Sequence, residues 1–323
     1  MRLALLSAAV WLSTSVSAAP TVTEQQQWLE ELAGKFELSQ DALNQAIAGA
    51  TYQQSIIDAM TRPAEAKPWH DYRPIFLTDK RIEQGVAFWK EHEALLARAE
   101  QELQVPAQII AAIIGVETYY GSHMGTHKVL DALYTLGFHY PPRGTFFRSE
   151  LGHYLKLAEQ QEWSLDEQKG SYAGAMGMGQ FISSSYRHYA VDFNDDGHIN
   201  LFEATDAIGS VANYFHEHKW QFGDPVVHKA SVADTDAADA LVSSALELKH
   251  SWAELAAAGI TTEDELAADT PVKLVKLDGA DGPEYWVVRH NFYVITRYNR
   301  SPLYAMAVYQ LSEEIRQAYE QQR

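Results

Sequence analysis

Glu117 is the one acidic residue in the run Gln108–Gly125, QIIAAIIGVETYYGSHMG, and the run holds no Lys or Arg to pair with it. Pro106 just upstream suits the first turn of a helix. From there Ile110, Ile113, Ile114 and Glu117 fall on one face, and Gly121 is a natural stop. The run is apolar, so that face is the buried one. A carboxyl at the C-terminal end of a buried helix has its pKa raised twice, by desolvation and by the negative end of the helix dipole. A carboxyl still protonated near neutral pH is what a general acid needs. The bland alternative is a helix-end Glu that tips into water or accepts a nearby backbone N–H. On this stretch alone the two readings stand level.

A second group of residues is GSYAGAMGMGQF, Gly170 to Phe181. Its glycines and alanines leave a backbone that a ligand can approach closely. Ser171 and Gln180 offer hydroxyl and amide groups suited to sugar hydroxyls and acetamides. The alternative is a tightly packed turn. No Lys-Ser/Thr follows, which excludes a phosphate loop. The third group, DFNDDGHINLFE from Asp192 to Glu203, fits a calcium-loop template at every fixed position. Asp192, Asn194 and Asp196 supply side-chain oxygens, Gly197 the sharp turn, His198 a backbone carbonyl and Glu203 position twelve. A second loop is absent, so the expectation is a structural calcium site, not a sensor.

Other chemistries fall away. HEALL lacks the second histidine of a zinc-protease helix, and His216 and His218 are two apart and do not face together. No serine elbow is present. The chain has no cysteine, which removes disulfides, thiolate metal sites and a cysteine nucleophile. A net charge of −18 argues against nucleic acid or an anionic membrane surface as partner.

The elements that must carry these groups are mostly helical. The first 20 residues, MRLALLSAAVWLSTSVSAAP, have the pattern of a secretory signal peptide with cleavage expected after Ala18. The residues TEQQQWLEELAGKF and SQDALNQAIAGA show helical spacing, with Ser39 an N-cap. RPAEAKPWHDYRPIF, with three prolines, reads as an extended crossing segment. DKRIEQGVAFWKEHEALLARAEQEL reads as one long amphipathic helix. Helical pattern resumes at Asp206–Lys219, TPVKLVKLDGADGPEYWVVRHNFYVI reads as strand–turn–strand, and LYAMAVYQLSEEIRQAYE closes with a helix. No later segment is long and apolar enough to span a membrane.

Across these motifs the sequence resembles the membrane-bound lytic transglycosylase B family of bacterial murein-degrading enzymes. The resemblance rests on IIGVETYYGSHMG, LDALYTLGFHYP, KGSYAGAMGMGQFISSSYRHYAVDFNDDGHINLFEATDAIGSVANYF and NFYVITRYNRSPLYAMAVYQL, and covers nearly all of the mature chain. It implies an α+β, mainly α fold: a lysozyme-like core with a helical domain and a small α/β domain. The expected boundaries are a signal peptide at 1–18 and a helical domain at 19–97, joined by the C-terminal helix 292–323. The catalytic core with the calcium loop follows at 98–223, and the α/β domain at 224–291.

The resemblance makes Glu117 the single catalytic acid/base. Ser171, Gln180, Tyr214, Tyr298, Asn299 and Tyr304 become ligands of the glycan strands of peptidoglycan. It also implies a longer calcium loop closed by a carboxylate three residues past position twelve, here Asp206; the sequence leaves Glu203 and Asp206 both open. Asp131 reads as a capping or pairing residue, not as a second catalytic carboxylate. The family chemistry cleaves the bond between N-acetylmuramic acid and N-acetylglucosamine and leaves 1,6-anhydromuramoyl ends without consuming water. A muramidase that hydrolyses the same bond is one alternative, and a non-catalytic, calcium-stabilised wall-binding protein is another. The departure from the family is the missing lipobox cysteine, which implies a soluble periplasmic protein in a Gram-negative source.

Overall fold

The computed structural model describes residues 20–62 and 67–322; the proposed signal peptide lies outside them. The chain opens with α1 (Val22–Phe36), α2 (Gln40–Gly49) and α3 (Gln54–Thr61). Thr21 and Glu24 form a capping box at the start of α1, and Ser39 caps α2 by accepting the Ala42 N–H, as its position predicts. These helices seal Leu29, Leu32, Leu43 and Ile56 against the main core.

Two expectations fail next, both because burial outweighs local signals. The proline-rich segment is not extended throughout: Trp69–Phe76 forms α4, with Pro74 inside it. Pro74 forgoes one backbone hydrogen bond. The helix still forms, because it packs on the last helix and the sheet and buries Trp69 almost completely. The long amphipathic run is two helices, α5 (Asp79–Glu91) and α6 (Glu93–Leu103), broken at His92 (φ −112°, ψ 25°). The bend lets one continuous apolar pattern cover two partners. Val86 and Phe88 of α5 enter the core at one place, and Leu96 and Ala99 of α6 at another.

The helix α7 (Ala107–Thr118) runs through the centre, with Ile110, Ile113 and Ile114 fully buried. Strand β1 (His127–Lys128) leads into α8 (Val129–His139), and α9 (Gly144–Gln160) packs against α8. Strand β2 (Lys169–Gly170) pairs antiparallel with β1. The close approach is possible because Gly125 has no side chain: a Cβ there would sit 2.1 Å from the Gly170 carbonyl. Two further helices, α10 (Ser183–Tyr189) and α11 (Ala204–Glu217), bracket the acidic loop.

The α/β portion contains β3 (Val227–Val232), α12 (Thr235–Asp239), β4 (His250–Ser251), α13 (Trp252–Ala257), β5 (Ile260–Thr262), β6 (Pro271–Gly279) and β7 (Gly282–Val288). The predicted strand–turn–strand is the β6–β7 hairpin. The sheet order is β4-β6-β7-β3-β5 and every pairing is antiparallel. One face contributes Val275, Leu277 and Val288 to the main core. The other holds Val272, Leu274, Tyr285 and Val287 in a second core with Leu255 and Ile260. The chain then returns through α14 (His290–Tyr298) to α15 (Pro302–Glu320), which packs on α5 and α7. The fold is mainly helical, as expected. No helix of the described residues is long and apolar enough to cross a membrane.

Candidate active site

Glu117 sits in the last turn of α7, on the face that Ile110 and Ile114 bury. The helix does not stop at Gly121. It ends two residues earlier, in Tyr119 (φ 53°), and Tyr120 (φ 57°) and Gly121 (φ 85°) continue in the left-handed region. Two consecutive tyrosines in that region are costly, and the surroundings fix them. The Tyr120 hydroxyl donates to the Arg81 carbonyl at 2.9 Å, and its ring lies where a Cβ on Gly115 would come within 2.6 Å. The Arg81 guanidinium lies over the Tyr119 ring at 4.6 Å. Thr118 locks the turn to the glycine-rich loop: its hydroxyl donates to the Met178 carbonyl at 2.8 Å and accepts the Gly121 N–H at 3.0 Å.

The carboxyl of Glu117 is crowded by protein and keeps only a partial opening to solvent. Tyr304, in the first turn of α15, donates its hydroxyl to Glu117 Oε1 at 2.5 Å. Burial pushes the Glu117 carboxyl up from 4.5 to about 7, against the opposing pull of the Tyr304 hydrogen bond. That displacement costs the carboxylate form about 3 kcal/mol. Because Tyr304 occupies Oε1, the acidic proton belongs on the other oxygen. Burial and the Glu117 charge hold the phenols of Tyr298 and Tyr304 well above their ordinary range. Both therefore stay neutral donors.

The structure brings Tyr298 and Tyr304 to Glu117 and distributes the other expected residues around them. The Tyr298 hydroxyl donates to the Gly179 carbonyl at 2.5 Å, pinning the glycine-rich loop. Tyr214 is buried, donates to the Arg297 carbonyl at 2.6 Å, and packs its ring 4.8 Å from that of Tyr298. Gln180 (φ 50°) donates its amide to the Met124 and Gly177 carbonyls at 3.2 and 2.9 Å, leaving the amide oxygen. The Ser171 oxygen accepts the Ala173 and Ala175 N–H groups, so its own proton is left to donate. Asn299 is exposed just past α14.

Two acidic residues that would be second carboxylates are committed elsewhere. Asp131 accepts the Thr51 N–H at 2.8 Å, the pairing role expected for it, and buried Glu150 accepts the Ser184 N–H at 2.9 Å. Sequence reasoning missed Tyr72. It stands on α4, and burial together with the Glu117 charge raises its pKa. The spacing of Trp69, Tyr72 and Phe76 carried that signal, hidden by the prolines on either side.

Residues 22–313 match the family model described as the transglycosylase SLT domain. The chain belongs to the transglycosylase SLT family. It is 42% identical over 300 residues to membrane-bound lytic murein transglycosylase B of Escherichia coli K12, covering 90% of this chain and 82% of that one. The solved soluble lytic transglycosylase SltB1 of Pseudomonas aeruginosa superposes with a TM-score of 0.86 at 50% identity, covering 90% of this chain and 98% of that one. The Escherichia coli lytic transglycosylase Slt35, solved in complex with calcium, superposes at 0.83 with 42% identity, covering 91% and 93%. With these relatives the lysozyme-like core expected of the family is in hand.

The acidic loop of this family member closes on itself through its own backbone. Asp192 accepts the Gly197 N–H at 2.7 Å, and Asp196 accepts the His198 N–H at 2.8 Å. Against a desolvation cost, backbone N–H groups from Asn194 to Gly197 hold the Asp192 carboxyl below its ordinary range. Asp206 and Glu203 differ sharply. Glu203 is exposed at the start of α11. Asp206 is buried beneath the loop and accepts the Phe193 and Asn200 N–H groups at 2.8 and 2.7 Å. Burial, then the charges of Asp192 and Asp196, raise its pKa. Asp192, Asn194, Asp196 and Asp206 supply hard oxygen donors of the kind calcium takes. Among the described residues no three His, Cys, Asp or Glu side chains are already drawn together around one point.

Proposed function

We infer that this chain is a lytic murein transglycosylase in which Glu117 acts first as acid and then as base. The observation that carries this reading is the state of Glu117: a lone carboxyl held at about 7 by burial, with Tyr304 on one oxygen and no second carboxylate among the groups that shift it. Ordinary glycosidases need two carboxyl groups; the transglycosylase route needs one. Protonated Glu117 gives its proton to the oxygen linking N-acetylmuramic acid to N-acetylglucosamine, and the bond from the anomeric carbon to that oxygen breaks. The muramoyl acetamide oxygen bonds to the anomeric carbon and forms an oxazolinium. Glu117, now a carboxylate, removes the proton of the same sugar's 6-hydroxyl. That oxygen attacks the anomeric carbon and releases the acetamide. The product ends in 1,6-anhydromuramate, the proton returns to Glu117, and no water enters. The intramolecular attack gains from proximity.

Tyr304 supports this cycle by fixing which oxygen carries the proton. Tyr298 supports it by holding Gly179, and Tyr214 by backing the Tyr298 ring. Ser171, Gln180 and Asn299 are assigned to the sugar's hydroxyl and acetamide groups. Calcium is assigned to Asp192, Asn194, Asp196, the His198 carbonyl and Asp206. The burial of Asp206 and its electrostatic link to Asp192 and Asp196 favour it over exposed Glu203. The ion would neutralise carboxylates crowded at the loop. The second core within residues 224–291 supports a separate α/β domain there. The signal-peptide pattern of the first 18 residues supports export to the periplasm.

The test is the mass of the product. Murein sacculi digested with the mature protein are expected to release muropeptides one water lighter than reducing-end products. Reducing ends as the main product would replace this reading with a muramidase. Sacculi bound but uncut would replace it with a wall-binding protein.

A further inference from the structure

A groove of about 970 Å³ opens between α4, α15 and the sheet, lined neither by Glu117 nor by Tyr304. Its floor is the sheet face on which Lys229 and Trp286 stand as cross-strand neighbours, with Glu284 two residues along accepting the Trp286 indole N–H. Its walls carry Arg73 on one side and Tyr309 and Glu314 on the other. The start of α4 is tied to the hairpin by a contact of 3.0 Å between His70 Nδ1 and the Asp278 carbonyl. The groove is therefore built, not a gap between loose parts. Its volume lies at the upper end of what small-ligand sites use.

The charges in it are mixed and largely unused by the protein. Arg73 spends its Nε on Gln310 at 2.6 Å and forms no ion pair, and neither do Lys229, Asp281 or Glu314, among the described residues. A murein sugar chain alone offers lactyl carboxylates but no amine to meet Asp281 and Glu314. A nucleic acid or phosphate ligand would be repelled by the carboxylates. A ligand that bears both a carboxylate and an amine satisfies both signs, with Trp286 and Tyr309 offering flat apolar surface to its aliphatic portions. The two helices that wall the groove also carry Tyr72 and Tyr304 to Glu117. On α15, Tyr304 and Glu314 are ten positions apart, about 15 Å along a helix. That is the span of a short extended peptide of four or five residues.

We propose that this groove binds the peptide stem of murein, a short peptide carrying both a free carboxylate and a free amine, and so makes cleavage stem-dependent. The proposal rests on the murein reading above and names part of the substrate not yet assigned to any residue. Stem carboxylates meet Arg73 and Lys229, and a stem amine meets Glu314 and Asp281.

The experiment uses the mature full-length protein, calorimetric titration with a soluble diamino-acid-containing murein tripeptide, and kinetics on two substrates, stem-bearing strands and amidase-stripped strands. Wild type and Glu117→Gln are expected to bind the tripeptide equally. Lys229→Glu and Glu314→Lys, both at exposed positions, are expected to weaken binding at least tenfold. They should also raise KM for stem-bearing strands about tenfold relative to that for stripped strands. No tripeptide binding to wild type, or an equal rise in KM on both substrates, overturns the proposal. The latter result would mean a glycan subsite. If the transglycosylase reading itself fails, the product has the wrong mass while the tripeptide still binds, so the two failures are distinguishable.

Discussion

Two places in this molecule gather acidity, and they treat it oppositely. At the end of α7 a single carboxyl is walled in by aromatic and aliphatic side chains, receives one hydroxyl, and titrates near 7. In the loop from Asp192 to Asp206 several carboxylates stand together, and most are bathed in solvent or wrapped by backbone N–H groups. The first arrangement stores a proton because ionisation there is costly. In the second the balance differs by residue: backbone N–H donors hold the Asp192 carboxyl below its ordinary range, while burial and the neighbouring charges raise that of Asp206. One residue type can suit proton transfer or cation binding according to what surrounds it.

The comparison is broken most directly at Glu117. Glu117→Gln keeps the shape and loses the proton, and murein cleavage is expected to fall by at least the ~10²–10⁴-fold of general acid–base catalysis. Circular dichroism should show an intact fold; an unfolded variant would make the residue structural.

The same variant should reveal what the buried carboxyl costs. Its folded pKa of about 7 lies above the unfolded 4.5. Its stabilising contribution is therefore complete below 4.5 and is lost as pH rises through 7. Glutamine escapes that loss. Denaturant titrations should find Glu117→Gln more stable than wild type at pH 8, by up to about 3 kcal/mol, and equal to it at pH 4. Equal stability at both pH values would mean that the carboxyl is not desolvated.

At the loop the expected signs reverse. Calcium at a hundredfold excess over Kd should raise wild-type stability by roughly 2.7 kcal/mol, and Asp206→Asn should lose most of that gain. Glu203→Gln should keep it. A melting temperature indifferent to chelator would remove the cation from the account.

The smallest effect concerns Tyr304. Its hydroxyl favours the carboxylate, so Tyr304→Phe should raise the Glu117 pKa further. In wild type, kcat/KM should fall tenfold per pH unit above about 7 as the acid form is depleted. In the variant that limb should move to higher pH, with kcat lower by about tenfold, the usual worth of one hydrogen bond to a charged group. An unmoved limb would detach Tyr304 from the proton.

Periodicity alone made the α7 stripe legible, and Ile110, Ile113 and Ile114 are indeed fully buried beside Glu117. The template positions of the acidic loop were equally plain. Three features were not, each for a physical reason. Pro68 and Pro74 advertise an interrupted chain, yet with Trp69 buried a helix starts directly after Pro68 and runs through Pro74, and Tyr72 was lost with it. The break at His92 has no local marker, because only the positions of α7, α11 and α15 demand it. The choice between Glu203 and Asp206 depends on which side of α11 faces the loop. Spacing within one segment does not settle that; the burial of Asp206 is what favours it over exposed Glu203 in the reading proposed above. Only resemblance pointed to Tyr304, since no local rule joins residues 187 positions apart.

That separation has a consequence for the order in which the protein is made. Glu117 is synthesised well before Pro302–Glu320, the helix that covers α7 and brings Tyr304. Until that helix docks, α7 lacks one of its covers and the carboxyl is more open to water, so its pKa lies nearer that of an ordinary glutamate. A nascent or truncated chain would therefore hold Glu117 without the raised pKa that the proposed mechanism requires. Contacts of such long range also form late and slowly. If Glu117 is the acid proposed above, wall cutting waits for completion of the polypeptide, a consequence of topology.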